Sequence, residues 1–244
     1  CRAWDPLTWG ADAIYDIVDK KLEFRSHYKI PAPQLETENC VAHNGSIVPV
    51  PGRDIFVQAW YQGGISVIDF TDSFNPFEIA YFDRGPILED ELITGGFWSA
   101  YYYQGTIYGT EITRGLDVLK LIPSKYLSEN EIAAAAMAYP VIGPRRLFNP
   151  QHQVPMTWPA APEVARAYID QLMRDDAISE DSAERIGDML DQVTLAMENG
   201  GDNRLARQIN SYRLSAKGSN ISLTQQRLEK LDATLKGIAA GLRG

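Results

Sequence analysis

The chain reads as a β + α protein: a partial β-propeller of about two and a half four-stranded blades, then an antiparallel bundle of three or four helices. Three observations predict this. Strand patterns recur at a spacing of 51 residues through the first half. Of the 25 aromatic residues, 20 lie before residue 128, where large rings would fill the wedges between stacked sheets. After Pro123 the apolar residues switch from period 2 to period 3.6, and from Pro162 the chain reads as helices between helix-start and helix-stop signals. The predicted division is 1–127 for the strand repeats, 128–161 for a short helix and a proline-rich strap, and 162–244 for the helices.

The repeat emerges when 13–30, 64–82 and 115–124 are aligned: Ile14, Ile65 and Leu116 are 51 apart, as are Ile17, Ile68 and Leu119. One copy is complete, with strands expected at 41–50, 54–61, 64–70 and 76–83. Its linkers, Pro51-Gly52-Arg53-Asp54, Gln62-Gly63-Gly64 and Thr71-Asp72-Ser73-Phe74-Asn75, hold the residues that tight turns need. A four-stranded sheet cannot cover both faces alone, so like sheets are expected to stack and bury them. The alternative arrangement of the same strands is a β-sandwich.

Gly64, Ile65, Val67, Ile68, Asp69, Thr71, Asp72 and Pro76 carry a resemblance. The stretch around them is similar to the repeat of bacterial LVIVD-type β-propeller proteins, where a Gly and an aliphatic run ending in Asp precede a Ser/Thr-Asp-x-x-x-Pro turn. The copy at 115–121 departs, with Lys120 in place of the Asp, and the copy at 13–19 keeps Asp19 without the Gly. The resemblance implies a fold and export from the cytoplasm, but no particular activity.

In the second half, Ser128 with Glu131 forms a capping box before an alanine-rich run. The segment 139–162 carries six prolines, which read as an extended strap. Its Leu147, Phe148, Met156 and Trp158 are too apolar for a free linker and are expected to pack on this chain or on a partner. Helical stripes follow: Val164, Tyr168 and Leu172; Ile186, Leu190, Val193 and Met197; Leu205, Ile209 and Leu214; and Leu228, Leu231, Leu235, Ile238 and Leu242. Asn199-Gly200-Gly201 ends the second helix, and Ser222 with Gln225 starts the last. The helix starts Ile178-Ser179 and Leu223-Thr224 and the centre at 195–210 resemble the FIMAH-type helical domains of secreted bacterial proteins, which implies an accessory or attachment role without catalytic residues.

The net charge is −9, concentrated in 1–127 with 17 acidic against 10 basic residues, so no basic stripe exists to meet a nucleic-acid backbone. No apolar run reaches the roughly 18 residues of a membrane span, so membrane association would come only through a partner. The two cysteines, Cys1 and Cys40, form either one disulfide or two free thiols. A lipid-anchored Cys1 is a third reading, disfavoured because Cys1 falls inside a repeat. A start at Cys1 reads as a processed or truncated form, with further blades from the same precursor, or a protein partner, completing the ring.

Catalytic, cofactor and metal motifs are missing from the sequence: there is no H-E-x-x-H, G-x-S-x-G, P-loop or C-x-x-C. His43-Asn44 opens the innermost strand of the complete copy and is not repeated, since the positions 51 further on are Thr94 and Gly95. His43 and Asn44 are therefore candidate ligand contacts, with Asp54, Glu38 or Glu111 as partners; a strand-start turn is the plainer reading. Asp69 and Asp72 read as turn formers rather than calcium ligands, Tyr101–Tyr103 as packing, and Glu89–Glu91 as a solvated loop.

The resulting expectation is a non-enzymatic binding or scaffold protein outside the cytoplasm (periplasmic, secreted or at the cell surface), with no cofactor. In it the strands form an interaction surface and the helices an attachment module, as an accessory subunit of a larger assembly. The alternative is a metal-dependent hydrolase or lactonase built around His43.

Overall fold

The computed structural model describes residues 1–143, 147–149, 152, 154–214 and 222–243. The chain divides into two compact units. The first comprises Cys1–Pro49, Arg53–Ile122 and Pro140–Met156; the second comprises Val50–Gly52, Pro123–Tyr139 and Thr157–Gly244.

The first unit opens with a hairpin of β1 (Asp12–Val18) and β2 (Lys21–Tyr28). Asp19 and Lys20 both take positive φ at its tip, 50° and 62°, the geometry a two-residue turn needs to match strand twist. A four-stranded antiparallel meander follows: β3 (Gly45–Val48), β4 (Ile55–Ala59), β5 (Ile65–Asp69) and β6 (Phe77–Phe82), paired in that order. A three-stranded meander then runs through β7 (Phe97–Tyr103), β8 (Thr106–Glu111) and β9 (Gly115–Leu119). The two meanders meet at isolated bridges between Asn44 and Ser99 and between Tyr61 and Phe97.

Local chemistry explains the turns. Gly64 sits at φ +84°, and a Cβ there would come within 2.2 Å of the Phe82 carbonyl oxygen. Asp69 accepts from the Thr71 amide at 2.9 Å, and Asp72 from the Phe74 amide at 3.0 Å. These are the side-chain-to-backbone bonds by which Asp stabilises turns, which accounts for both carboxylates without a metal. Buried Arg53 closes the same corner on Asp69 at 2.5 Å. Strand alternation holds at Tyr101–Tyr103, where Tyr102 is buried and Tyr103 stacks on Phe148, ring centroids 5.6 Å apart.

The expected propeller is overturned. The described residues form small separate antiparallel sheets of two to four strands, with no closed or propeller sheet. Nor do the 51-spaced residues share an environment. Ile65 is 3% exposed between two neighbours in β5, Leu116 is 59% exposed on β9, and Ile14 is half-buried in a strand whose only described partner is β2. The physical reason lies in strand number: only the middle set has four strands, and sets of two and three leave open edges and faces, not a ring.

Among the described residues the second unit carries five helices: α1 (Glu129–Ala136), α2 (Pro162–Arg174), α3 (Glu180–Glu198), α4 (Asn203–Ser211) and α5 (Ser222–Gly241). The Ser128–Glu131 capping box is formed, and the buried Glu131 carboxylate also receives Arg174 at 2.6 Å. Ser179 caps α3 and Asp202 caps α4. At the end of α3 the Gly201 amide donates back to Ala196 at 2.8 Å, with Gly200 and Gly201 at positive φ, a Schellman-type stop. At the start of α5 the Gln225 side chain bonds Glu229 at 3.1 Å, in the direction away from Ser222. One core joins all five helices through Ala134, Leu172, Leu190, Ile209 and Ile238. Residues 50–52 belong to this unit, with buried Gln171 donating to the Pro51 carbonyl at 2.8 Å.

The antiparallel three- or four-helix bundle is also overturned: five helices pack without forming a clear bundle. Their lengths of 8, 13, 19, 9 and 20 residues show why. At about 1.5 Å per residue, α1 and α4 are roughly half the length of α3 and α5, too short to run the full height of a bundle. The missed element was α1's part in this core; its alanines carry a weak apolar stripe, and burial of Ala134 and Ala135 becomes visible only in three dimensions.

Candidate functional site

The strongest candidate is a recess of about 360 Å³ in the first unit, lined by Asp12, Ala13, Ile14, Tyr15, Tyr28, His43, Phe56, Gln58, Ile68 and Phe70. The hairpin β1–β2 supplies one wall and β4–β5 the other. Alternation places Phe56 and Gln58, two apart in β4, on it, whereas β1 lines it with four consecutive residues, Asp12 to Tyr15, across a bulge between Ile14 and Tyr15.

Asp12 is the chemically distinctive wall. Burial pushes its carboxyl up to about 7, with no neighbouring cation offsetting the loss of water. Its Oδ2 is buried and has no hydrogen-bond partner among the described residues. Behind the recess lies a compact polar network: the Tyr28 hydroxyl bonds Ser66 Oγ at 2.7 Å, and Ser66 Oγ donates to Glu78 Oε2 at 2.6 Å. Tyr28 also donates to Glu78 at 3.3 Å. Burial raises both the Tyr28 phenol and the Glu78 carboxyl, so the Tyr28 hydroxyl keeps its proton at any physiological pH.

The residues singled out in the sequence are distributed as follows. His43 Nδ1 donates to the Trp98 carbonyl at 2.6 Å, because that oxygen can only accept. The ring packs against Tyr61 and Trp98, centroids 4.8 and 4.3 Å away. Gln58 donates to the His43 carbonyl, fixing the strand start. Asn44 acts through its backbone, its carbonyl accepting from the Ala59 and Ala100 amides, each at 3.2 Å. Among the described residues none of the three carboxylates named as partners for His43 is bonded to it, and Asp54 is exposed. Glu111 accepts from the amides of Gly96, Thr113 and Arg114, and Glu38 accepts from the Leu35 amide at 2.7 Å. Partial desolvation of its carboxyl and the nearby Asp69 and Asp16 charges raise Asp54. Among the described residues no group of three or more His, Cys, Asp or Glu could hold a metal ion.

Cys1 and Cys40 are joined in a disulfide, which seats Cys40 in a core with Tyr28, Ile30, Trp60 and Ile68. Of the strap residues, Leu147 stands 93% exposed, Phe148 stacks on Tyr103, Met156 is half-buried in the two-residue strand β11 (Met156–Thr157), which pairs with β10 (Tyr139–Pro140), and Trp158 packs on the helical core. Both Arg-bearing residues of the strap, Arg145 and Arg146, lie outside the described residues.

Sequence reasoning missed the recess. Asp12 is the first residue of β1 and carries no motif; its one signal was an acid at the start of a strand. No helix of the described residues is long and apolar enough to cross a membrane. Comparison with models of known protein families finds no match, and comparisons with curated proteins and with solved structures find none either.

Proposed function

We propose that this is a non-enzymatic binding protein of an extracytoplasmic compartment, with a strand surface that engages a protein partner and a helical unit that serves as its attachment module. The observation that carries the reading is apolar surface left open on β9, where Leu116 and Val118 are each 59% exposed. β9 pairs only with β8 among the described residues, so its outer edge keeps unpaired backbone groups. A partner that offers an extended segment with alternating apolar residues answers both features at once, by strand addition and by burial of Leu116 and Val118. The Cys1–Cys40 bridge supports the compartment, because disulfides persist where the environment is oxidising. His43 and Glu111 support a non-catalytic role, since the first is held by a carbonyl and packed between rings and the second is spent on turn amides.

The test is photocrosslinking from position 118 in the exported full chain, read by mass spectrometry. One partner protein, lost when Leu116→Lys is added, is the expected result. Intrachain links alone, or the same partner captured equally by the Leu116→Lys chain, would overturn the proposal. Thiol titration checks the compartment: exported protein should show no free thiol before reduction and two after.

A further inference from the structure

We propose that the recess between the β1–β2 hairpin and β4–β5 is a binding site for a small protonated arylalkylamine, its ammonium held by Asp12 and its ring by the aromatic walls. The site stands apart from the open β9 surface and does not depend on a partner there.

Four features point to this chemistry. Size comes first: about 360 Å³ lies at the low end of the roughly 300–1,000 Å³ that small-molecule sites occupy. The walls come second. Tyr15, Tyr28, Phe56 and Phe70 supply aromatic surface, and aromatic faces attract cations as well as apolar rings. Third, the charge is unbalanced. No lysine or arginine lines the recess, while Asp12 lines it with a carboxyl that no cation pairs and whose other oxygen, Oδ2, is shut off from solvent without a hydrogen-bond partner among the described residues. A buried carboxyl in that position either keeps a proton or awaits a cation. Fourth, the other acids close by are committed: Glu78 accepts from Ser66 and Tyr28. Among the acids at the recess the unpaired charge therefore falls on Asp12, and an ammonium N–H meets its carboxylate with a charge-assisted bond.

Other ligand classes fit less well. A divalent cation needs several oxygen ligands, and no cluster of metal-binding side chains occurs among the described residues. A sugar would leave hydroxyls facing Ile14, Ile68, Phe56 and Phe70 without partners. An anion would meet Asp12 with no basic residue to receive it.

Calorimetric titration of the disulfide-intact full chain with three probes tests the site. The probes are 2-phenylethylamine, the neutral 2-phenylethanol, and the N,N,N-trimethyl derivative of the amine. The amine should bind at least about tenfold more tightly than the alcohol, the factor that one charge-assisted hydrogen bond supplies. It should also bind more tightly than the trimethyl derivative, which lacks an N–H. Asp12→Asn should erase the preference for amine over alcohol. Asp12→Glu, which keeps the charge but displaces it by one methylene, should reduce it and serves if the first variant fails to fold. Tyr15→Ala should weaken both probes alike. No binding of the amine, equal binding of amine and alcohol, tighter binding of the trimethyl derivative, or an unchanged preference in Asp12→Asn and Asp12→Glu would each overturn the proposal.

Discussion

Three strands set 51 residues apart, β1, β5 and β9, begin from similar sequences and end in different surroundings. In β5 every residue of Ile65–Asp69 is buried. In β9, Leu116 and Val118 stand out to solvent, and in β1 the burial alternates, with Ile17 78% exposed. Local sequence makes each a strand in the same way, through β-branched residues between turn formers. Whether its side chains become a core is decided by what lies on either side, and only β5 has a paired strand on both edges and covered faces. Burial is thus a property of the neighbourhood and not of the repeat.

Breaking the middle of the comparison should cost most. Arg53→Ala leaves Asp69, 6% exposed, as a buried charge without its guanidinium, and should destabilise the first unit by about 3–5 kcal/mol in denaturant unfolding. Ile55→Ala, at a fully buried position of β4, should cost about 2–5 kcal/mol by loss of transfer energy and creation of a cavity. A smaller loss at either position would mean that the middle sheet is less tightly enclosed than its burial indicates.

The hairpin offers a pH-dependent contrast. Asp12 is an acid whose folded value, about 7, lies above its ordinary value of 3.8, so the folded chain holds a proton that the unfolded chain releases. Stability from this group is therefore fully present below about pH 4, falls as pH rises towards 7, and is flat above. The full shift sets an upper bound of roughly 4 kcal/mol, and relaxation of the recess should leave about 1–2 kcal/mol in practice. Asp12→Asn should remove this slope and stabilise the chain by that amount at pH 8, measured as the denaturant midpoint across a pH series. The smallest effect belongs to Ile17→Ala, which should change stability by less than about 0.5 kcal/mol because the side chain already faces water.

Much of the local structure was legible in the sequence, and for identifiable reasons. Turn chemistry is local, so Asp69, Asp72, Gly64, Ser128 and Gly201 announced the strand and helix ends where the structure places them. The assembly of those elements was not legible. The 51-residue spacing specifies like strands, but closing them into a ring requires complete sets, and strand counts of two, four and three do not supply them. In the helices, stripe positions were plain, whereas α4 was too short for the bundle the stripes implied, and α1, outside them, joins the same core. His43 drew attention because histidine is rare here, yet its Nδ1 went to a backbone carbonyl. Asp12 drew none, because what distinguishes it is an Oδ2 without a hydrogen-bond partner among the described residues, and partners across 30 or more residues cannot be counted from a linear text.

The Cys1–Cys40 linkage fastens the chain into a covalent loop with a sequence separation of 39, and both strands of the β1–β2 hairpin lie inside it. A lone two-stranded ribbon is marginal in water, so the clasp keeps one wall of the recess from swinging loose. Anything lodged beside Asp12 would consequently reside under a buckle that reductants can undo, while the four-stranded meander, which contains no cysteine, would keep its shape.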